Sequence, residues 1–388
     1  MTTVYLDHAA TTPLRPESRD AWIAASALVG NASSIHGAGQ SARRLLEESR
    51  ERLAAVIDCD PIEVVFTSGG TESVNLALKG LWESRSPGRD AVVLPGGEHH
   101  ATLDAVEWLA ASRGADVRHV ALDAMGRVPL DDFTAQVDGA ALATALVANN
   151  ETGTVNDASG LAAAAAGAGV PLHLDAIAAF GHVPVSFRRW RADAAPAAGL
   201  VAMSVSGHKI GAPVGVGALV TARTAPLAPL LHGGGQQRRL RPGTQDIAGA
   251  AAFAVAAELA VVELDAEAVR LAALRDELVR GILSTVPGAE LLGDPRGRLP
   301  GNAHVHFPGA AGETLLFLLD QRGIAASTGS ACQAGVPEPS HVVLAIGRSD
   351  AEAREVLRFT LGRTSTPADV TALLGALPDA VARARAAR

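Results

Sequence analysis

Short continuous apolar runs recur along the first half of the chain, separated by segments with helical spacing. Such runs predict strands buried on both faces, because a half-exposed strand would alternate apolar and polar residues. We predict strands of this kind at 63–67, 91–94, 142–147, 171–174 and 200–205, and a shorter strand at 3–7. The spacing of apolar positions predicts helices at 16–28, 38–57 and 73–81. This alternation favours an α/β fold with a mostly parallel sheet covered by helices on both faces.

The last third of the chain has a more mixed pattern. It predicts strands at 303–307 and 324–326, and helices at 313–321, 351–357 and 368–385. A long helix or a pair of helices is predicted at 247–279, after a Gly- and Arg-rich loop at 230–244. We expect a large α/β domain and a smaller α+β domain, which is also the usual division for a chain of 388 residues.

Composition narrows the classes of protein that fit. Hydrophobic residues make up 48% of the chain, and although many are alanine, this excludes a disordered protein. The formal net charge is −8 with no long basic run, so nucleic-acid binding has no electrostatic support. The two cysteines, Cys59 and Cys332, cannot build a disulfide framework, and the apolar run 161–170 is too short to span a bilayer. Because the chain starts without a signal-peptide pattern, we expect a soluble cytoplasmic protein without membrane contact.

One lysine stands at the end of a predicted strand. The segment LVAMSVSGHKIG, 200–211, runs from apolar residues into a turn that carries Ser206, His208 and Lys209. Desolvation at the mouth of an α/β sheet would lower the pKa of such a lysine and make its amine a nucleophile toward an aldehyde. A surface lysine after a strand is the other interpretation, and this segment alone does not decide between them.

The turn at 68–72 fits a phosphate. Its sequence, SGGTE, joins a predicted strand to a predicted helix, so free N–H groups and the positive end of the helix would point at an anion. It lacks both the GK[ST] of a Walker loop and the GxGxxG of a dinucleotide site, so a single small phosphate at Gly70 and Thr71 is the better fit. A plain strand-to-helix turn capped near Thr71 is the alternative.

Other polar residues follow predicted strands, where α/β folds place ligands. His99 could stack on a flat ring or move protons. Asp175 closes an apolar run, so it needs a cationic partner such as a protonated pyridine nitrogen. The small-residue loop 7–13 permits close approach of a ligand, but an ordinary turn is favoured there. His304 and His306 would share one strand face, but no further ligand is evident nearby, so no metal site is predicted.

Two features of the C-terminal part indicate substrate chemistry. Cys332 lies among small residues in STGSACQAG, 327–335, which favours a nucleophile over a packed structural cysteine. Arg358 and Arg363 flank a short β-like run, and one of them could clamp a carboxylate with two parallel hydrogen bonds. Together with the lysine, the phosphate turn and the buried aspartate, these features describe pyridoxal phosphate (PLP) handling an amino acid whose product leaves onto a thiol.

The sequence resembles the cysteine desulfurases, within the class V aminotransferases of PLP fold type I. The matching stretches occur in the family's order and cover nearly the whole chain: YLDHAATTP, GNASSIH, FTSGGTES, EHHATL, NNETGTV, HLDA, SGHK, HGGGQQR, STGSAC and LRFTLGR. The chain is most similar to the subgroup with a long, flexible cysteine loop, which typically serves iron–sulfur assembly and tRNA thiolation. The resemblance implies conversion of L-cysteine to L-alanine, with the sulfur passed to an acceptor protein.

The resemblance also implies roles at the cofactor. Lys209 would hold PLP covalently and move protons, and His99 would stack on its ring and act as an acid–base. Asp175 would pair with the pyridinium nitrogen, and Asn150 would contact the ring hydroxyl. The phosphate would be held by Thr71, Ser206 and His208, together with Thr244 of the partner subunit. That last contact implies an obligate homodimer.

Substrate roles and domain bounds follow from the same resemblance. Arg358 would bind the carboxylate of cysteine, with Asn31 nearby, and Cys332 would attack the substrate sulfur and become a persulfide. The large PLP-binding domain, with a seven-stranded type of sheet, would span 14–258. The smaller domain would combine 1–13 with 259–388 and carry the cysteine loop.

Two positions depart from the family pattern. Ala178 stands where the family usually has a glutamine that bonds the ring hydroxyl; a methyl group cannot donate that bond, which costs about 1 kcal/mol and would alter the cofactor's electronics. Pro242 replaces a common serine and should only stiffen its loop. Ala178 leaves open another PLP reaction on the same scaffold, such as that of an aminotransferase, a C–S lyase or a selenocysteine lyase. A weakly active scaffold that docks sulfur acceptors is a further interpretation, against which the intact site residues argue.

Overall fold

The computed structural model of the protein describes residues 4–329 and 338–387. The strands in this part of the chain are β1 Val4–Tyr5, β2 Val64–Thr67, β3 Ala91–Pro95, β4 Asp116–Val120, β5 Leu142–Leu146, β6 Pro171–Asp175, β7 Gly199–Ser206, β8 Gly217–Thr221, β9 Glu290–Leu292, β10 Asn302–His306, β11 Ile324–Ala325 and β12 Val356–Thr360. The helices are α1 Pro16–Ser26, α2 Gly37–Ile57, α3 Gly70–Glu83, α4 His100–Arg113, α5 Leu130–Val137, α6 Ala158–Gly167, α7 Phe187–Arg191, α8 Ile247–Val262, α9 Leu264–Thr285, α10 Gly312–Asp320, α11 His341–Ala345, α12 Asp350–Ala353 and α13 Pro367–Ala386.

The largest sheet in the described residues has seven strands in the order β2-β8-β7-β6-β5-β3-β4. Strand β8 runs antiparallel to both of its neighbours, and the strands from β7 to β4 run parallel to one another. The α/β fold with a mostly parallel sheet is therefore confirmed. The carboxyl ends of β5, β6 and β7 meet at one edge of this sheet, where parallel folds place their ligands.

Both faces of this sheet are covered, which explains the continuous apolar runs. Val93 packs into a core with residues of α2, α5, α6 and α8, whereas the adjacent Val92 points to the opposite face and packs with residues of α3 and α4. Because successive side chains of a strand point to opposite faces, each strand must be apolar at every position.

A separate core lies in the C-terminal part. The antiparallel sheet β12-β10-β9 packs with α9, α10 and α13 around residues such as Leu278, Phe307 and Leu373. Leu6 joins this core because β1 pairs in parallel with β11. The N-terminal segment therefore contacts the C-terminal third of the chain, while the domain bounds 14–258 and 259–388 stay a prediction.

The helix predicted at 351–357 is wrong in its second half. Helix α12 ends at Ala353, and Val356–Thr360 forms strand β12, in which Arg358 pairs with His304 of β10. A short apolar run satisfies both periodicities, and only its pairing with β10 makes it a strand. Arg358 thus lies inside a strand rather than beside one. Strands β4, β8 and β9 lack a counterpart among the predicted elements.

The segment predicted as a long helix or a helix pair is the pair α8 and α9, with a bend of 69° between them. Most of the alanine-rich helix α8 is buried in the large core. In the part of the chain that the structure describes, no helix is by itself both long and apolar enough to cross a membrane. The bent pair meets that test by length and composition only when its two helices are taken together.

Candidate active site

A cavity of about 360 Å³ lies at the carboxyl ends of β5, β6 and β7. It is closed on other sides by the N-terminal loop that follows β1 and by residues 299–302. The candidate residues that line it are Gly70, Thr71, His99, Asn150, Asp175, Ser206, His208, Lys209 and Arg358. Residues that are up to 288 positions apart in the chain are thus brought to one edge of the sheet (358 − 70 = 288).

Two predicted site residues in the described part of the chain, Asn31 and Thr244, do not line this cavity. Asn31 is exposed, and its side-chain oxygen accepts a hydrogen bond from the Ser33 N–H at 2.9 Å. Thr244 is exposed and does not line the cavity of its own chain. Cys332 lies outside the described residues. Their roles stay predictions.

The turn predicted to hold a phosphate leads from β2 into α3. Gly69 has a φ of +151°, which favours glycine, and a Cβ added at Gly217 would lie 2.7 Å from the Gly69 Cα. Helix α3 begins at Gly70, so the N–H groups of its first turn, including that of Thr71, need a partner outside the helix. Beside this turn, the buried Ser206 Oγ has no hydrogen-bond partner in the described residues. The turn and Ser206 therefore offer donors to an anion.

Lys209 ends the short 3-10 turn Gly207–Lys209 that follows β7. Its Nζ donates hydrogen bonds to the backbone oxygens of Ala9 and Ala10, the second at 3.0 Å. The loop 7–13, for which an ordinary turn was favoured, thus forms part of the cavity wall. The separation of 200 residues between Ala9 and Lys209 explains why this contact was missed.

Two buried carboxyl groups belong to this region, and Asp175 is the one that lines the cavity. Asp175 is 2% exposed, and its Oδ1 accepts from the Ile177 N–H at 2.9 Å. Burial raises the pKa of Asp175 to about 6, although the charge of Lys209 opposes this shift. Sequence reasoning missed Glu98, which is 1% exposed and accepts from the Leu146 N–H at 2.9 Å. Its position three residues after the end of the apolar strand β3 was the available signal.

Two histidines of the cavity, His99 and His208, are neutral at pH 7. Burial lowers the pKa of His99 to about 4, and the charge of Lys209 adds to this effect. The His99 Nδ1 accepts from the Ala101 N–H at 3.1 Å, so in the neutral ring the proton lies on Nε2. Burial and Lys209 also lower the pKa of His208 to about 4. The neutral His99 can therefore stack on a ring and donate a hydrogen bond from Nε2.

Arg358 reaches the cavity from β12. Its Nη1 donates to the Asn150 backbone oxygen at 3.0 Å, and its Nη2 donates to the Asp7 Oδ1 at 2.8 Å. The side chain is 4% exposed. A buried guanidinium at the cavity wall is suited to a carboxylate.

Comparison with known proteins shows the family of the chain. The family model described as Aminotransferase class-V matches residues 4–373. The chain belongs to the aminotransferase class-V family.

Curated members of this family are similar to the chain over nearly its full length. An IscS-like cysteine desulfurase of Mycobacterium tuberculosis is 48% identical over 391 residues, which cover 99% of this chain and 97% of that protein. A cysteine desulfurase of Gluconacetobacter diazotrophicus is 39% identical over 388 residues, which cover 99% of this chain and 95% of that protein.

Solved structures show the same likeness. A NifS-like protein superimposes with a TM-score of 0.90 and 31% identity, covering 98% of this chain and 100% of that chain. DndA from Streptomyces lividans superimposes with a TM-score of 0.76 and 33% identity, covering 92% of this chain and 99% of that chain. The fold is therefore that of the NifS-like, PLP fold type I proteins.

The cavity residues fit PLP, the cofactor of class-V aminotransferases. A phosphate at the start of α3 would satisfy the Ser206 Oγ, which otherwise stays buried without a partner in the described part of the chain. A pyridinium nitrogen would supply the cation that the buried carboxylate of Asp175 needs, and Lys209 supplies an amine in the same cavity.

Glu98 leads to a prediction about stability and pH. Burial raises its pKa to about 8 from 4.5, and the charge of Asp175 adds to the shift. Because the folded chain keeps a proton that the unfolded chain releases between those values, stability should fall as pH rises through this window. The slope contributed by one such proton is at most about 1.4 kcal/mol per pH unit. Glu98→Gln removes this contribution, so the variant should gain stability over the wild type from pH 5 to 8 and keep the gain above pH 8.

Thermal unfolding of the cofactor-free proteins, measured from pH 5 to 9, checks this prediction. Glu107→Gln, at an exposed position of α4, is the matched control and should follow the wild type throughout. A Glu98→Gln difference that is constant with pH would show that Glu98 is ionised in the folded chain.

Proposed function

We infer that this member of the class-V family is a PLP-dependent cysteine desulfurase, which converts L-cysteine to L-alanine and transfers the sulfur. The observation that carries this inference is the cavity, in which Lys209, Asp175 and Arg358 meet at the carboxyl edge of the sheet. The curated relatives named above are cysteine desulfurases, and the similarity extends over the whole length of both chains.

We propose the following division of roles at the cofactor. Gly70, Thr71, Ser206 and His208 would hold the phosphate, Asp175 the ring nitrogen and Asn150 the ring hydroxyl. When bound, PLP supplies an electron-withdrawing ring that weakens the bonds at the α-carbon of an amino acid. Ala178 lines the cavity and cannot donate a hydrogen bond from its methyl group, so Asn150 is the candidate donor to the hydroxyl.

Proton movement would fall to Lys209 and His99. The Lys209 Nζ would hold the cofactor and carry protons to and from the α-carbon of the substrate. The neutral His99 would stack on the ring and donate a hydrogen bond from Nε2, and as an acid–base it would pass through its protonated, positively charged form. The backbone oxygens of Ala9 and Ala10 accept from the Lys209 Nζ and so limit where its amine can point.

The substrate would be held by its carboxylate and attacked at its sulfur. Arg358 would bind the carboxylate, with Asn31 near the substrate. The Cys332 thiolate would attack the sulfur of L-cysteine; the S–S bond forms as the C–S bond breaks, and protonation at carbon gives L-alanine. One thiol and one cysteine thus yield one persulfide and one alanine.

We also propose the assembly in which this reaction takes place. Thr244 is exposed in its own chain, and we propose that it completes the phosphate site of a second copy in a homodimer. Residues 14–258 would form the large domain, and 1–13 with 259–388 the smaller one. A sulfur-acceptor protein would take the sulfur from Cys332, with neither nucleic acid nor a membrane involved, in the cytoplasm.

Product analysis tests the proposed function. PLP-loaded protein is incubated with L-cysteine and dithiothreitol, and alanine, sulfide, pyruvate and keto acids are quantified. Alanine and sulfide in equal amounts are expected. Pyruvate would indicate a C–S lyase, a keto acid would indicate an aminotransferase, and absence of turnover would favour a docking scaffold; each of these results would overturn the proposal.

A further inference from the structure

The N-terminal loop after β1 is held in one conformation against the cavity. The Tyr5 hydroxyl lies within hydrogen-bond distance of the backbone oxygens of Asp7 and Thr11, at 3.0 and 2.9 Å, and its single proton joins it to either of these two points of the loop. Further along the loop, the Ala10 backbone oxygen accepts from the Lys209 Nζ at 3.0 Å. These contacts hold the backbone of the loop, including that of its first residue, Asp7, in place.

Asp7 contacts the guanidinium of Arg358. The Asp7 Oδ1 lies 2.8 Å from the Arg358 Nη2, and the two side chains are 20% and 4% exposed. Within residues 4–329 and 338–387, Asp7 is the carboxylate that lies within 4.0 Å of Arg358. Backbone contacts also hold both residues. Asp7 forms a β-bridge with Thr360, and Arg358 exchanges backbone hydrogen bonds with Ser327.

These contacts leave part of the guanidinium available. Arginine has five N–H donors in a planar fork, and the described residues engage Nη2 through Asp7 and Nη1 through the Asn150 backbone oxygen. No described residue accepts from the buried Nε. Two contacts on different nitrogens fix the plane of the fork, while the remaining N–H groups can still meet a carboxylate.

Fixing this plane has a consequence for binding. A free arginine side chain has many rotamers, and ordering it on binding weakens affinity. A guanidinium that is already oriented avoids that loss, and its carboxylate partner keeps the buried charge compensated before a ligand arrives.

We propose that Asp7 is a positioning residue, which orients Arg358 for the carboxylate of the amino-acid substrate. This proposal rests on the proposed function, because it takes Arg358 as the group that binds the carboxylate. It assigns a role to the N-terminal strand and loop, which lie 351 residues from Arg358 in the chain.

Substrate binding by Asp7 variants tests this proposal. For L-cysteine turnover, KM should rise at least about threefold in Asp7→Asn, which keeps an oxygen acceptor, and about tenfold in Asp7→Ala, which keeps none. The value of kcat should stay within about twofold, and the cofactor absorbance should not change. In absorbance titrations of the PLP-loaded protein, the apparent Kd for L-alanine should rise by the same factors. The Kd for ethylamine, which has no carboxylate, should stay constant.

Asp294→Asn is the matched control. The side chain of Asp294 is 4% exposed and accepts from the Arg127 Nε at 2.7 Å, and it does not line the cavity. This variant should lose thermal stability and leave both Kd values unchanged.

The other outcomes contradict the proposal in separate ways. An unchanged or lowered KM and Kd for alanine in the Asp7 variants would show that Asp7 does not orient Arg358. Equal losses with alanine and ethylamine, or loss of cofactor, would show that Asp7 only supports the loop. If the wild type itself shows no absorbance change with L-alanine, the proposed function fails. If the wild type responds and the Asp7 variants have the same KM and Kd as the wild type, the proposed function stands and the role of Asp7 is wrong.

Discussion

Lys209→Ala is expected to lower the rate of alanine and sulfide formation more than about 1,000-fold. The variant loses the amine that holds the cofactor, and the same amine moves protons at the substrate α-carbon. Cofactor attachment and proton transfer are therefore lost together. Turnover measured with saturating PLP checks this, because added cofactor compensates for weaker binding but not for a missing proton carrier.

Lys79→Ala is the matched control, since Lys79 is the other lysine of the chain. Its ammonium lies 4.5 Å from the centre of the Trp108 ring and does not line the cavity. Borohydride reduction followed by peptide mass spectrometry should find the cofactor on the peptide that contains Lys209 in the wild type and in Lys79→Ala. Activity of Lys209→Ala within tenfold of the wild type would contradict the role given to Lys209.

Cys332→Ala should abolish sulfur transfer while the cofactor remains bound. Without this thiol, the remaining cysteine is the buried Cys59, so alanine and sulfide should both fall by more than about 1,000-fold. The absorbance change on adding L-cysteine should persist, because Lys209 and Arg358 are intact. The comparison separates sulfur transfer from an eliminating lyase, which would still release sulfide.

Cys59→Ala is the control for this substitution. Cys59 is buried, and burial together with Glu63 and Asp60 raises the pKa of its thiol to about 12. A thiol with this pKa is protonated at pH 7 and is a poor nucleophile. Cys59→Ala should therefore keep full activity, and a large loss there instead of at Cys332 would contradict the assignment of the nucleophile.

Sequence patterns predicted the structure correctly where all the residues involved lie at one strand end or in one turn. Asp175, Ser206 and Lys209 each follow an apolar run, and the parallel sheet places the ends of those runs at one edge. The two-sided burial of the sheet was visible as continuous apolar runs, because each strand contributes to both faces. The fold class and the candidate polar residues of the cavity followed from these patterns and from the family resemblance.

Sequence patterns failed where a contact with residues far away in the chain decides the local structure. Helical spacing extended the predicted helix to 357, but pairing with β10 makes 356–360 a strand. The loop 7–13 reads as an ordinary turn, since its partners Lys209 and Arg358 lie about 200 and 350 residues further on. Nothing within a short window distinguishes such a loop from any other.

The sequence by itself determined which residues are candidates for the chemistry and most of the elements that present them, because side-chain type and periodicity are properties of neighbouring residues. Only the tertiary structure decided that Glu98 is buried beside Asp175 and that Asp7 meets Arg358. Burial and charge pairing depend on what the rest of the chain brings to a position. The pKa of a carboxyl group and the orientation of a guanidinium are therefore set by contacts that span the whole fold.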